Sequence, residues 1–120
     1  MQEIPNIQFR NSDKSKYGFE MFSMDYLYNK KLERKNYISD YRRLKFFMII
    51  FVEEGKDYHY IDFEIQPIKK GDIVFVAKEQ VSAFSKEQTA KGTIVIFTEE
   101  FLTKNLSSQD IYAYMRLFNY

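Results

Sequence analysis

One histidine, His59, is the only side chain in this 120-residue sequence whose unperturbed chemistry exchanges a proton near neutral pH, and the chain contains no cysteine. A His pair, an HxH metal motif, a thiolate nucleophile and a disulfide scaffold are therefore all excluded. A lone histidine on a strand is ordinarily a surface residue or one satisfied in the core, with a ligand-sensing or catalytic role as the alternative. Two carboxylate pairs, Glu53-Glu54 and Glu99-Glu100, are adjacent in sequence. Neighbours on a strand point to opposite faces, so neither pair can share one acid/base site, and both read as solvated turn charges. The basic stretch Lys30-Lys31 to Lys35, with Tyr28 and Tyr37 beside it, has the ingredients of a nucleic-acid patch. Its setting argues against that role: 18 Lys+Arg against 17 Asp+Glu leave a formal charge of +1, too little to draw the chain to a phosphate backbone.

The elements that would position these residues are strands. Twelve Phe, ten Tyr and many Ile and Val favour the pleated, half-buried surface of a sheet. Strands are expected at Tyr17 to Tyr28, Leu44 to Val52, Asp57 to Phe63, Glu64 to Ile68, Asp72 to Val76, Val81 to Phe84 and Thr93 to Thr98. Turns are expected at Glu53-Glu54-Gly55-Lys56, Lys69-Lys70-Gly71-Asp72 and Ala90-Lys91-Gly92, each supplying a glycine for a tight connection. Asn29 to Arg43 reads as a solvated loop. Many short strands with regular turns predict an all-β barrel, and Leu44 to Val52, apolar on both faces, should be a central strand covered on each side. Ser107-Ser108 can cap a short amphipathic helix over about Ser108 to Phe118, with Asp110 in its first turn and Ile111, Tyr114, Met115 and Phe118 forming its apolar stripe.

The order of several short motifs adds to this. The run Phe46-Phe47-Met48-Ile49-Ile50-Phe51-Val52-Glu53-Glu54-Gly55 is followed by His59-Tyr60-Ile61-Asp62-Phe63 and by Ile68-Lys69-Lys70-Gly71-Asp72-Ile73-Val74-Phe75-Val76. Gln80-Val81 and Phe97-Thr98-Glu99-Glu100-Phe101-Leu102 complete the series. Together they resemble the N-terminal effector-binding and dimerisation domain of AraC-family transcriptional regulators, over roughly residues 40 to 104. That resemblance implies a cupin-like double-stranded β-helix, or jelly-roll, barrel, a homodimer, and a DNA-binding helix-turn-helix domain further along, which this chain lacks. The expected organisation is one domain: an N-terminal arm over about 1–16, a barrel over 17–98 and a C-terminal helical segment over 99–120.

Metal-dependent cupins hold their ion with two His and a Glu on one strand and a further His after a Gly-x5-Pro-x-Gly turn. Counted from Gly71, the Pro, Gly and His places hold Ala77, Glu79 and Ser82, and counted back from Gly55 the other ligand places hold Arg42, Leu44 and Met48. Alkyl groups and a guanidinium cannot build a metal site, so no metal and no cofactor are expected. Alternation instead turns Arg42, Leu44, Phe46, Met48 and Ile50 inward, with Ser82 and Phe84 across the barrel. This predicts a mainly apolar interior that is either filled by its own side chains or hollow enough for a small organic effector. The effector would be held by Arg42, Phe46, Met48, Ser82, Phe84 and His59, with Arg42 meeting an anionic or carbonyl group and Ser82 a hydroxyl. The same register puts Phe47, Ile49 and Phe51 in an outward apolar row suited to a dimer interface.

With 45% hydrophobic and 18% aromatic residues the chain can bury a core, and at this length it makes one domain. Its longest apolar run, Phe46 to Val52, falls far short of the roughly 20 residues a membrane-spanning helix needs, and Met-Gln-Glu-Ile-Pro lacks the pattern of a secretory leader. A cytoplasmic ligand-sensing module, not an enzyme and with no membrane partner, is the expectation. A metal-independent cupin enzyme, an isomerase or lyase, and a purely structural dimerisation module are the alternatives.

Overall fold

The computed structural model describes residues 4–7, 18–33, 41–105 and 109. Among the described residues, eight strands and two helices follow in the order β1 (Asn6–Ile7), β2 (Phe19–Ser23), α1 (Met24–Glu33), β3 (Arg42–Leu44), β4 (Phe47–Ile61), β5 (Glu64–Lys69), β6 (Ile73–Val76), β7 (Val81–Phe84), β8 (Ala90–Phe97) and α2 (Glu99–Asn105). The long strand β4 belongs to two sheets. Its first half pairs with β6 and β8, and β2 follows β8, giving a four-stranded sheet. Its second half pairs with β5 and β7, and β3 and β1 follow β7, giving a five-stranded sheet. Every pairing is antiparallel except that of β1 with β3. The chain thus forms the double-stranded all-β barrel expected from its composition and motif order.

Two expected turns are absent for one reason. Gly55 is not a turn but the hinge of a β-bulge at Val52/Glu54, where it takes φ +81° and lets β4 run through from one sheet into the other. The bulge changes the parity of the strand. Met48, Ile50 and Val52 point inward before it, and Asp57 and His59 point inward after it. Gly92, expected in a turn, lies inside β8 opposite Val52; a Cβ there would sit 1.9 Å from the Phe51 carbonyl oxygen, so glycine is required by the closeness of the two strands. The connection from β4 to β5 carries no glycine at all. Asp62 and Phe63 make it with φ of +50° and +68°, the two-residue hairpin geometry normally left to Asn and Gly.

The expected strand Tyr17 to Tyr28 is half strand and half helix. Ser23 ends β2, and its Oγ accepts the Tyr26 N–H at 3.0 Å, capping α1, with Asp25 in the first turn. Aromatic content suggested a strand here, but Met24, Leu27 and Tyr28 lie at helical spacing and turn one face onto the barrel, where Met24 is fully buried. Of the loop expected over Asn29 to Arg43, Asn29 to Glu33 belong to α1 and Arg42 and Arg43 to β3, while residues 34–40 lie outside the described residues. Leu44 to Val52 is likewise interrupted: Lys45 and Phe46 form a bend between β3 and β4. β8 begins at Ala90, three residues before the expected Thr93. The helix expected over about Ser108 to Phe118 lies outside the described residues apart from Gln109, which is helical.

The outer face of β4 is covered within the chain at Phe47, while Phe51 stays exposed. Phe47 stacks on Phe97 at 5.4 Å and is buried with Leu102 of α2 and Ala77, with Ile49, Val95 and Phe101 packed around them. Glu99 and Glu100 begin α2 rather than forming a turn, and they pair with Lys78 at 3.1 Å and Lys104 at 2.8 Å. Glu53 and Glu54 are exposed strand residues flanking the bulge.

Candidate functional site

The inner faces of the two sheets meet in one apolar cluster that includes Leu44, Phe46, Met48, Ile50, Val76 and Phe84. Phe46 and Met48, expected to line the interior, both belong to this cluster. Glu20 of β2 stands beside Ile96 on the four-stranded sheet, and the other polar groups gather on the inner face of the five-stranded sheet. Register aligns Arg42 with Ser82, Ser82 with Ile61 and Ile61 with Glu64 in one row across four strands. The next row runs from Phe84 through His59 to Gln66. The next places Asp57 beside Ile68. Arg42, Ser82, His59 and Phe84, four of the six ligand-binding residues expected from the sequence, thus share one face, with Arg42 half-buried and the other three buried.

His59 is neither the surface residue nor the satisfied core residue that lone histidines usually are. It has no exposed surface, stands edge-on to the Phe84 ring at 4.7 Å, and among the described residues neither Nδ1 nor Nε2 has a hydrogen-bond partner. Burial pushes its pKa down to about 4 against the opposing pull of the Asp57 carboxylate, so the imidazole is neutral at physiological pH. Asp57 is committed elsewhere: its carboxylate accepts the N–H groups of Tyr58 at 2.7 Å, Thr89 at 2.9 Å and Ala90 at 3.2 Å, fastening β4 to the start of β8. A buried polar group left without a partner costs about 1–3 kcal/mol, which makes His59 the most expensive side chain of this face. Helix α1 covers the neighbouring end. Tyr28 donates its hydroxyl to the Ser85 carbonyl at 3.1 Å and meets Phe84 edge-on at 6.0 Å, and burial raises its phenol pKa.

Among the described residues β5 and β6 are both edge strands, each paired only with β4, and they do not pair with each other. Between them lies a groove of about 540 Å³. Ile61, Glu64, Gln66 and Ile68 form one wall, and Ile73, Val74 and Phe75 form the other. Asp62, Asp72, Ala77 and Gln80 close its ends, and Pro67, which has no N–H to offer, stands on the β5 edge, where a sheet tolerates proline. None of the six expected ligand-binding residues lines this groove, although Gln66 and Glu64 connect it by register to His59 and Ser82. The strand Glu64 to Ile68 that forms one wall is expected from the sequence, but the groove itself is not, because it depends on β5 and β6 lying beside each other unpaired, which no local pattern encodes.

At the four metal-ligand places the side chains are Arg42, Leu44, Met48 and Ser82, and among the described residues no group of three or more His, Asp or Glu is arranged to hold a metal ion. Glu79, at the place of the motif's second glycine, adopts φ +80°, so the turn keeps a glycine backbone without glycine. The Arg43 guanidinium donates to the Glu79 carbonyl at 2.7 Å, and Lys45 pairs with its carboxylate at 2.8 Å, which helps to hold that conformation. Among the described residues no helix is long and apolar enough to cross a membrane.

No curated protein sequence matches the chain. Among solved structures it is similar to the EutQ protein of Clostridium difficile, at 22% identity and a TM-score of 0.43 over 49% of this chain and 47% of that one. It is also similar to the plu4264 protein of Photorhabdus luminescens, at 18% identity and 0.43 over 54% and 60%. A Cupin 2 conserved barrel domain protein from Salinispora arenicola is similar at 13% and 0.41 over 49% and 51%. The chain spans about half the length of the solved structures it matches. A family model described as the AraC-like ligand binding domain matches residues 32–119, which is well over half of the sequence and contains β3 to β8, the groove and His59. The chain belongs to the AraC-like ligand binding domain family.

Proposed function

We infer that this domain senses a small organic effector, without metal and without catalysis, on behalf of a transcriptional regulator whose DNA-binding domain is not in this chain. The observation that carries the reading is the groove of about 540 Å³ between β5 and β6, whose lining includes Glu64 and Gln66, the cross-strand neighbours of Ile61 and His59 on the five-stranded sheet. A groove with apolar walls and a few placed polar groups suits a small organic molecule. The reading also takes the protein to be cytoplasmic and to form a homodimer. For the dimer, Ile49 and Phe51 remain on the outer row, Phe51 at 36% exposure, whereas Phe47 is occupied by α2. An enzyme of the cupin type would need a titratable cluster on this face, and the one histidine is held neutral and unpartnered.

The test is a thermal-shift screen of small organic compounds against chelator-treated protein. A true effector at 100 times its Kd stabilises by about 2.7 kcal/mol, which in a domain of this size raises Tm by roughly 5–15 °C. It should be recovered chemically unchanged after prolonged incubation. Conversion of the compound would favour the enzyme, and a requirement for added metal would contradict the metal-free site.

A further inference from the structure

We propose that the outer face of the β4–β5 hairpin docks an acidic, extended segment of a partner protein. The positions that point out of the barrel here are Lys56, Tyr58 and Tyr60 on β4, and register sets each beside one on β5: Lys56 by Lys69, Tyr58 by Pro67 and Tyr60 by Ile65. Tyr58 is 55% exposed and Ile65 60%. The turn joining the two strands extends this strip, because the Phe63 ring packs on Tyr41 at 4.8 Å and Tyr41 meets Tyr60 edge-on at 6.1 Å. Phe63 is itself 59% exposed and sits at φ +68°, a left-handed backbone that costs a bulky residue more than glycine. An aromatic ring held there and left in water gains little for folding, which points to recognition.

Charge decides the class of partner. Lysines directly opposite each other on a sheet repel, and among the described residues neither Lys56 nor Lys69 is in an ion pair that would relieve this. The six outward positions hold no carboxylate, since Asp57 turns inward and Glu64 lies at an alternate position, on the groove side. A partner that brings carboxylates to the lysine end and apolar side chains to the tyrosine and isoleucine rows gains at every row. The rows repeat every two residues, about 6.7 Å apart, which is the spacing at which an extended chain presents alternate side chains. Docking is on the face rather than by strand addition: Pro67 has no N–H and the Lys69 N–H is taken by the Asp72 carboxylate at 2.9 Å, so the β5 edge has few donors to offer. The formal charge of +1 gives the chain little general pull on a phosphate backbone, which favours a peptide over a nucleic-acid strand. All of these positions point away from the barrel interior, so the surface is independent of the effector site.

The test uses a synthetic peptide in which every second residue is Asp, Asp, Leu and Phe in turn, with Ser between, titrated into isotope-labelled protein while the backbone amides of Tyr58, Tyr60 and Ile65 are followed by NMR. It is expected to shift these amides and to bind at least about tenfold more tightly than the same peptide with Asn for Asp, an advantage that shrinks with added salt. Lys56→Gln combined with Lys69→Gln should bring the acidic peptide down to the affinity of its amide analogue, Ile65→Ser should weaken both roughly fivefold, and Lys91→Gln on β8 should change neither. All four are exposed positions, and unchanged amide signals away from the hairpin report an intact barrel. Equal binding of the two peptides would overturn the acidic assignment, and tighter binding of single-stranded oligothymidylate at the same amides would replace the peptide with a nucleic acid. Shifts of these amides with protein concentration alone would show that a second copy covers the strip. No movement up to about 1 mM of the acidic peptide would remove the docking surface altogether.

Discussion

The two inner faces of the barrel use the same strand for opposite ends. On the four-stranded sheet, Met48, Ile50 and Val52 face Val74, Val76, Ile94 and Ile96, an apolar layer in which Ile50, Val76 and Ile94 have no exposed surface. On the five-stranded sheet, Asp57, His59, Ser82, Glu64 and Gln66 stand among Ile61, Ile68 and Phe84. The first face returns burial energy from every residue of this layer, with Glu20 of β2 beside Ile96 at its margin. The second returns less, because each buried polar atom must be desolvated and His59 gains no hydrogen bond in exchange. The apolar and the polar lining are therefore segregated on either side of the bulge at Val52/Glu54, and a domain of this size has a margin of only about 5–15 kcal/mol from which the polar face draws.

The sharpest way to break this contrast is truncation on the apolar side. Ile50→Ala should cost about 2–5 kcal/mol in urea unfolding, through lost burial and a cavity the close packing cannot refill. A loss below about 1 kcal/mol would mean that the four-stranded sheet is not the stability-bearing half. On the polar side, His59→Leu should act through pH. The folded-state pKa of His59 is depressed from 6.5 to about 4, so the unfolded chain binds more protons between those values and stability falls as pH drops through that window. The full difference amounts to roughly 3 kcal/mol. Subtracting the variant's stability-against-pH curve from that of the parent isolates this contribution, and His59→Leu should be as stable as the parent, or more so, at pH 7. A difference curve flat from pH 7 to 4 would show that His59 is not buried neutral.

Asp57→Asn should cost roughly 1–3 kcal/mol, because an amide can present only one acceptor oxygen to the N–H groups of Tyr58, Thr89 and Ala90. Amide exchange at Thr89 and Ala90 should accelerate with it, and unchanged exchange there would remove Asp57 as the fastening between β4 and β8. The smallest effect is expected at the groove. Glu64→Gln should shift stability by no more than about 0.5 kcal/mol, since the side chain is exposed and unpartnered, and a larger loss would mean that the groove wall belongs to the core rather than to recognition.

How far these features are legible in sequence follows the same division. Val81 to Phe84 emerges with both ends correct, and the inward set Leu44, Phe46, Met48 and Ile50 is buried as alternation requires. Apolar alternation is a local signal with strong energetic consequences, so it can be read. The through-running of β4 could not, because Glu53-Glu54-Gly55-Lys56 has turn composition and only pairing with β8 on the far side of the chain decides that Gly55 makes a bulge. Helix α1 was hidden by aromatic residues, although Ser23 and Asp25 carried its start signal. The polar residues expected at the site, Arg42, Ser82 and His59, do come together on one face. The groove beside them is made by two edge strands that fail to meet, which is a property of tertiary geometry and leaves no local pattern.

The parity change at Gly55 has a consequence for how such sequences can vary. Because inward positions are even-numbered up to Val52 and odd-numbered from Asp57, the bulge works like a reading frame for side chains. Loss or gain of a single residue between Val52 and Asp57 would exchange inside for outside along the rest of β4, placing Tyr58 and Tyr60 in the barrel and His59 in solvent, while a change of two residues would preserve the frame. Homologues aligned by spacing alone across this point will therefore match lining residues to surface residues whenever their bulges differ by one.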